Sequence, residues 1–293
     1  MDLRLGLIGD HITRSRAPRL HRLAGGQSGI DVRYDSLIPA DLGQGFDEIL
    51  DACGKGGYRG VNVTYPYKER AAALVPVEDP LVQAMGAINT VIFGEDGPVG
   101  YNTDHTGFIA AYERTRGKAE PGVCLMIGAG GAGRAVAFAL AALGLRELRL
   151  VDLDIGRAER LALDLQEARP EVIVRIGPDP VSMAEGAHGI LNCTPLGMDD
   201  NQDAALGAEA MEGAEWVFDA VYTPRDTPFL KGAATAGCQI VPGWELFFYQ
   251  GVHAWTLFAD RQLDEDRLRR DLLAEEEAGS APGAPGAPGA DNS

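Results

Sequence analysis

Positive charge is in short supply in this chain. Against 43 acidic residues stand 26 Lys and Arg, a net charge of −17, so a nucleic-acid partner is not expected, because a phosphate backbone demands a basic face. Cysteine is sparse as well. Cys53, Cys124, Cys193 and Cys238 lie far apart without metal-ligand spacing, which predicts reduced thiols and a cytoplasmic protein. His11, His21, His105, His188 and His253 are scattered too, and no metal is expected. No apolar run approaches the length of a membrane span and no leader pattern opens the sequence, so neither a membrane partner nor export is expected. What is left is a globular composition, 45% hydrophobic and 24% charged over 293 residues, long enough for two domains.

The most informative stretch runs from Val123 to Asp152. An apolar run, Val123 to Ile127, has the length of a buried parallel strand. The turn Gly128-Ala129-Gly130-Gly131-Ala132-Gly133 follows, then a helical pattern with Val136, Leu140 and Leu143 on one face, then a second strand, Glu147 to Val151, ending at Asp152. Strand, glycine turn, helix, strand and acid occur in the order of a dinucleotide site. The glycines permit a tight turn, close approach of a pyrophosphate and close helix packing, and the helix N-terminus offers N–H groups and positive dipole charge. Asp152 lies about 20 residues past the turn, where a carboxylate accepts ribose hydroxyls. Like charge there disfavours an adenosine 2′-phosphate, so NAD is expected over NADP; Arg157, the first cation beyond, is the residue that could reach back to the nucleotide.

Before this stretch the pattern predicts a small α/β unit. Strands are expected at Leu3 to Ile8, Val32 to Leu37, Gly60 to Thr64 and Asn89 to Phe93, with a helix begun near Pro18 and another over Leu42 to Cys53. After it, Thr106 to Arg116 having served as a connecting helix, come a helix with Ala158, Leu161, Ala162, Leu165 and Ala168 inward and strands at Val172 to Ile176, Gly189 to Asn192 and Trp216 to Ala220. Alternation of strand and helix implies a parallel sheet with right-handed crossovers. A helix from Thr227, a short strand at Gln239 to Val241 and the apolar stretch Trp244 to Phe258 follow, the last expected to pack across a cleft on the first unit. Leu263 to Ala278 reads as an acid-rich amphipathic helix, and the Ala-Pro-Gly repeat from Gly279 as a disordered tail. The expected division is a substrate domain over 1–104, a Rossmann-type doubly wound dinucleotide domain over 105–236, returning helices over 237–278 and the tail over 279–293.

Candidate chemistry sits in three polar clusters at strand ends of the first unit: Asn62-Val63-Thr64-Tyr65-Pro66-Tyr67-Lys68, Gly86-Ala87-Ile88-Asn89-Thr90 and Gly100-Tyr101-Asn102-Thr103-Asp104. Taken singly, each Asn or Thr reads as turn or cap chemistry and Lys68 as a surface charge. Three clusters on one small sheet point instead to a ligand at that edge.

With these motifs, and with Asn192 to Met198, Asp219 to Pro224 and Gln250, the chain resembles the shikimate/quinate dehydrogenase family from about residue 3 to residue 275. Asp152 is similar to the NAD-using branch. The resemblance implies an α/β protein of two domains with a cleft between them, interconverting shikimate and 3-dehydroshikimate or quinate and 3-dehydroquinate by hydride transfer. It implies Lys68 and Asp104 as the proton-transfer pair. Asn89, Asp104 and Gln250 would bind ring hydroxyls, and Ser15, Thr64 and Tyr222 the carboxylate end. The nucleotide would meet the turn Gly128, Ala129, Gly130, Gly131, Ala132 and Gly133, with Asp152 and Arg157 at the adenosine ribose and Thr194, Val221 and Gly243 towards the nicotinamide. A homodimer is one assembly open to the chain. The same fold could also serve as an NAD or metabolite sensor without turnover, or as the dehydrogenase of another shikimate-like hydroxy acid; a folate- or tRNA-linked enzyme is disfavoured by the Lys68 motif.

One departure stands out. The family pattern has two hydroxyl residues, one position apart, before a proline, whereas this chain reads Ser15-Arg16-Ala17-Pro18. The arginines around it (Arg14, Arg16, Arg19, Arg22) read either as helix surface or as a source of the anion contact that Ala17 lacks.

Overall fold

The computed structural model describes residues 2–198, 201 and 203–280. The first unit is built on a five-stranded sheet in the order β2-β1-β3-β4-β5. Its strands are β1 (Asp2–Ile8), β2 (Asp31–Leu37), β3 (Gly60–Val63), β4 (Thr90–Gly94) and β5 (Gly97–Tyr101), with helices α1 (Ala17–Ser28), α2 (Pro39–Leu42), α3 (Phe46–Lys55), α4 (Lys68–Leu74) and α5 (Pro80–Met85) between them. β1 pairs in parallel with β2 and β3, while β3–β4 and β4–β5 are antiparallel. The predicted helix over Leu42 to Cys53 is two pieces, because Gly43 takes a left-handed conformation that ends α2 and Gly45 starts α3. β5 has no counterpart in the sequence reading: Gly97, Pro98 and Gly100 mask a strand whose ladder is supplied entirely by β4.

α6 (Thr103–Arg116) leads into a six-stranded, all-parallel sheet ordered β11-β10-β9-β6-β7-β8. Its strands are β6 (Val123–Ile127), β7 (Glu147–Val151), β8 (Ile173–Ile176), β9 (Gly189–Asn192), β10 (Trp216–Asp219) and β11 (Gln239–Pro242). Helices α7 (Gly131–Ala142), α8 (Ile155–Ala168), α9 (Pro180–Ala184) and α10 (Pro228–Thr235) and a 3₁₀ turn at Ala208–Met211 connect them. Numbered within this sheet, the strand order is 3-2-1-4-5-6, the doubly wound dinucleotide arrangement, with its switch point between β6 and β9.

α11 (Gly243–Ala259) and α12 (Glu265–Ser280) complete the chain. The apolar stretch predicted to cross to the first unit does so: α11 packs on α6, α1 and β4, and Arg59 donates to the Phe258 carbonyl at 3.0 Å. α12 docks through Arg269, which lies 4.1 Å above the Phe248 ring and donates to Glu245 at 2.7 Å. Two expected boundaries shift. The division after residue 104 falls inside α6, because Asn102 caps that helix on the His105 amide. The segment assigned to returning helices from 237 begins with β11, which pairs with β10 and extends the second sheet to Pro242. Residues 281–293 of the expected tail lie outside the described residues. The largest core runs from Leu5 and Leu20 through Phe108 and Tyr112 of α6 to Met126 and Phe138. α6 joins it edge-on, Phe108 to Phe218 and Tyr112 to Trp216, at centroid distances of 4.9 and 5.0 Å.

Candidate active site

Lys68 and Asp104, 36 positions apart, meet in the cleft. Lys68 is the first residue of α4, delivered by the turn after β3, and Asp104 lies in the first turn of α6. The ammonium Nζ donates to Asp104 Oδ2 at 2.6 Å, with the two side chains 13% and 10% exposed. The stem of Lys68 is walled by the other unit: a Cβ added at Gly131 would come within 2.8 Å of Lys68 Cβ. A surface-charge reading of Lys68 does not fit this geometry.

The three polar clusters are stitched together behind the pair. Asn62 donates to Thr90 Oγ1 at 3.1 Å, and Thr90 donates to Asn89 Oδ1 at 3.0 Å. Asn89 donates to Thr103 Oγ1 at 3.0 Å and accepts the Thr103 amide at 2.8 Å. Tyr34 adds a 2.8 Å bond to Asn62 Oδ1. Asn89 is 3% exposed, and these bonds fix its amide while leaving one of its N–H donors for a ligand. Asn62, Thr90 and Thr103 stand inside the motifs with no role assigned from the sequence; their bonds hold the Asn89 amide in place. His21 stacks on Tyr34 at 5.1 Å, and burial pulls its imidazole down to about 3, so it stays neutral at physiological pH.

The remaining substrate-side candidates converge from both units. Tyr222 stacks on Phe247 with centroids 4.7 Å apart. Burial raises its hydroxyl above the usual range, against the opposing pull of a hydrogen bond to Ser15 and the charge of Arg16. Arg16 is half-buried, whereas Arg14 and Arg22 are exposed. Thr64 follows β3, its amide bonded to the Ile8 carbonyl at 3.0 Å. Gln250 lies on α11 beside Gly107 of α6 and donates to its own helix at the Phe247 carbonyl, 2.9 Å away.

The nucleotide-side candidates gather at the switch point. Gly128 has φ of +100°, and a Cβ at Gly133 would sit 2.2 Å from the Gly128 carbonyl oxygen, so neither tolerates a side chain. Gly130 borders open space and serves as N-cap of α7 without a side-chain cap, in contrast to α6, α8 and α10, which Asn102, Asp154 and Thr227 cap. Uncapped amides at a dipole's positive end, fronted by side-chain-free space, fit a pyrophosphate. Ala129 is buried and Ala132 half-buried in the same turn. Asp152 accepts the Ala129 amide at 2.7 Å and the Asp154 amide at 2.8 Å. Arg157 is exposed on α8, its Nε 3.8 Å from Asp154 Oδ2. Thr194 bonds Asn192 at 2.6 Å within the turn after β9. Val221 is buried and Gly243 opens α11, both bordering a cavity of about 290 Å³ that also reaches Tyr222 and Trp244. Cys193 lies near Lys68, and burial raises its thiol, which disfavours the thiolate form.

The strand ends that present these turns are tied by Asp219, which accepts from Asn192 (2.9 Å), the Val221 amide (3.0 Å) and Thr227 (2.5 Å). Burial outweighs these bonds and pushes its carboxyl up to about 6. The folded state therefore holds this proton more tightly than the unfolded chain. The contribution is complete below the ordinary value of 3.8 and is lost as pH rises through about 6. Asp219→Asn keeps the shape, with the Thr227 hydroxyl turned to accept. It is expected to gain stability relative to the parent between pH 4 and 7, on the order of 3 kcal/mol. Paired thermal melts across that range check this; parallel curves refute it.

Comparison with known proteins completes the picture. Residues 7–91 match the family model of the shikimate dehydrogenase substrate binding domain. The chain is 36% identical to a quinate/shikimate dehydrogenase (NAD(+)) of Corynebacterium efficiens, over 92% of this chain and 97% of that protein. It is 34% identical to a shikimate dehydrogenase (NADP(+)) of Pseudarthrobacter chlorophenolicus, over 94% and 97%. Among solved structures, quinate dehydrogenase from Corynebacterium glutamicum in complex with NAD superposes with a TM-score of 0.85 at 32% identity, over 94% of this chain and 100% of that one.

Proposed function

The chain belongs to the shikimate/quinate dehydrogenase family, and from that premise we propose that it is an NAD-dependent oxidoreductase of a cyclic polyol carboxylate: shikimate, quinate or both. The observation that carries the proposal is the 2.6 Å Lys68–Asp104 pair pressed against the glycine turn. A sensor without turnover has no use for a half-buried ammonium–carboxylate pair at that point.

A nicotinamide cofactor held here would supply the hydride acceptor. In oxidation the ring C–H bond breaks with its electron pair as hydride, the hydroxyl proton passes to the amine of Lys68, and the C–O bond becomes C=O. In reduction the ammonium of Lys68 gives its proton to the forming alkoxide. Asp104 orients Lys68 and balances its charge. Asn89, Asp104 and Gln250 are the ring-hydroxyl partners in this reading, and Ser15, Thr64 and Tyr222 those at the carboxylate end. Losing one such buried contact costs on the order of 1–3 kcal/mol. The turn Gly128 to Gly133 would hold the pyrophosphate and Asp152 the adenosine ribose, with Thr194, Val221 and Gly243 on the nicotinamide side and Arg157 as a further candidate on α8.

Among the described residues no helix is long and apolar enough to cross a membrane. A cytoplasmic location is supported by four free cysteines, and a homodimer by exposed Ile173 and Ile176 on the edge strand β8. The test is a matrix of shikimate and quinate against NAD and NADP, read by reduced-nicotinamide absorbance. Turnover with NAD on at least one acid is expected; none in any combination would refute the reading.

A further inference from the structure

The helix that opens at the glycine turn touches two segments of the first unit that each bear a site residue. Gly131 abuts the Lys68 stem. One turn on, Arg134 is only 6% exposed, in a helix whose neighbouring residues are Ala135, Val136 and Ala137. Burying a guanidinium is costly unless its donors are paired. Here Nε donates to the carbonyl of Met85, the last residue of α5, and Nη2 pairs with Asp164 on α8. Next to Met85, Gly86 ends α5 in a left-handed conformation, φ +63°, and a Cβ there would lie 3.3 Å from Arg134 Nη2. Three residues further is Asn89, whose backbone carbonyl accepts the Val63 amide at 2.8 Å. The guanidinium thus joins the nucleotide helix to the start of the segment that carries Asn89.

We propose that Arg134 is a positioning residue: through the Met85 carbonyl it sets the Gly86–Asn89 segment against the nucleotide turn, so that ring-hydroxyl recognition and the hydride acceptor share one frame. It rests on the roles given to Asn89 and to the glycine turn above. It does not itself touch the reacting atoms. An arginine that only stabilised the fold would change the melting temperature and leave the kinetics of folded protein alone. A positioning arginine changes kcat/KM for the cyclic acid and leaves binding of reduced nicotinamide cofactor as it was.

The test is Arg134→Ala, measured for NADH affinity by fluorescence, for kcat and KM on whichever acid the parent oxidises, and for backbone hydrogen exchange over 86–90. Unchanged NADH affinity is expected, with kcat/KM lowered by roughly 10²-fold, as for a small misplacement of a bound group. Guanidinium chloride should restore part of that loss where equal sodium chloride does not, and exchange over 86–90 should rise. Unchanged kcat/KM, a loss that falls on NADH binding, or no rescue by guanidinium overturns the proposal. If Arg134→Ala does not fold, Arg134→Lys is used, and parental kcat/KM there overturns it. Absence of turnover in the parent refutes the dehydrogenase reading instead; the exchange measurement then still decides, and exchange unchanged from the parent sinks the positioning role.

Discussion

Lys68→Met lowers turnover by roughly 10²–10⁴-fold, the range that a positioned acid–base group contributes, while NADH still binds. Methionine is chosen because it keeps an unbranched stem. Gly131 packs on that stem with no room to spare, so a shorter side chain would leave a gap at the contact between the units and confuse chemistry with packing. With methionine the wall stays and only the ammonium goes, leaving no group to take the substrate hydroxyl proton or return it. Asp104→Asn is the companion. It keeps an oxygen for the 2.6 Å contact with Lys68 but removes the balancing charge, so a smaller loss is expected. Stopped-flow absorbance of the reduced cofactor, beside fluorescence titration of NADH, separates chemistry from binding. Survival of turnover on both cyclic acids in Lys68→Met, with NADH bound normally, would end the Lys68 assignment.

What was legible in the sequence was whatever depends on neighbours along the chain. Val123 to Asp152 declared strand, glycine turn, helix, strand and acid because each is a local pattern, and the structure sets them at the switch point of a 3-2-1-4-5-6 sheet. The core face Ala158, Leu161, Ala162 and Leu165 was legible for the same reason, helical period. β5 was not, because Gly97 and Pro98 are poor strand formers whose ladder comes from β4. The start of α6 was misplaced by three residues because Asn102 in a polar cluster reads equally as turn or cap until its carbonyl oxygen is seen on the His105 amide. The site divides along the same line. Lys68, Asn89 and Asp104 stood in motifs, yet the bonds from Asn62 to Thr90 and from Asn89 to Thr103 span 28 and 14 positions, and nothing local specifies them. Arg134 left no signal at all: a charge on an apolar helix reads as a solvated face until Met85 and Asp164 are found against it.

The second large effect concerns the cofactor: kcat/KM with NAD should exceed that with NADP by roughly 10²–10³-fold, since like charges juxtaposed across an interface cost several kcal/mol. The Asp152 carboxylate cannot swing away from a 2′-phosphate, because its two oxygens hold the Ala129 and Asp154 amides at 2.7 and 2.8 Å. Asp154 adds a second negative charge two residues on. The nearest cation on α8, Arg157, sits beside Asp154 at 3.8 Å, where it offsets that acid before it can serve a phosphate. Asp152→Asn tests this from both sides. The amide retains one acceptor oxygen, so one of the two backbone amides loses its partner at about 1–3 kcal/mol, the turn loosens, and NAD use falls. The repulsion of a 2′-phosphate falls with it, so NADP use drops less or rises. The preference ratio must therefore shrink in this variant. A parent that uses the two cofactors equally, or a ratio that Asp152→Asn leaves unmoved, would mean that this carboxylate shapes the turn without reading the ribose.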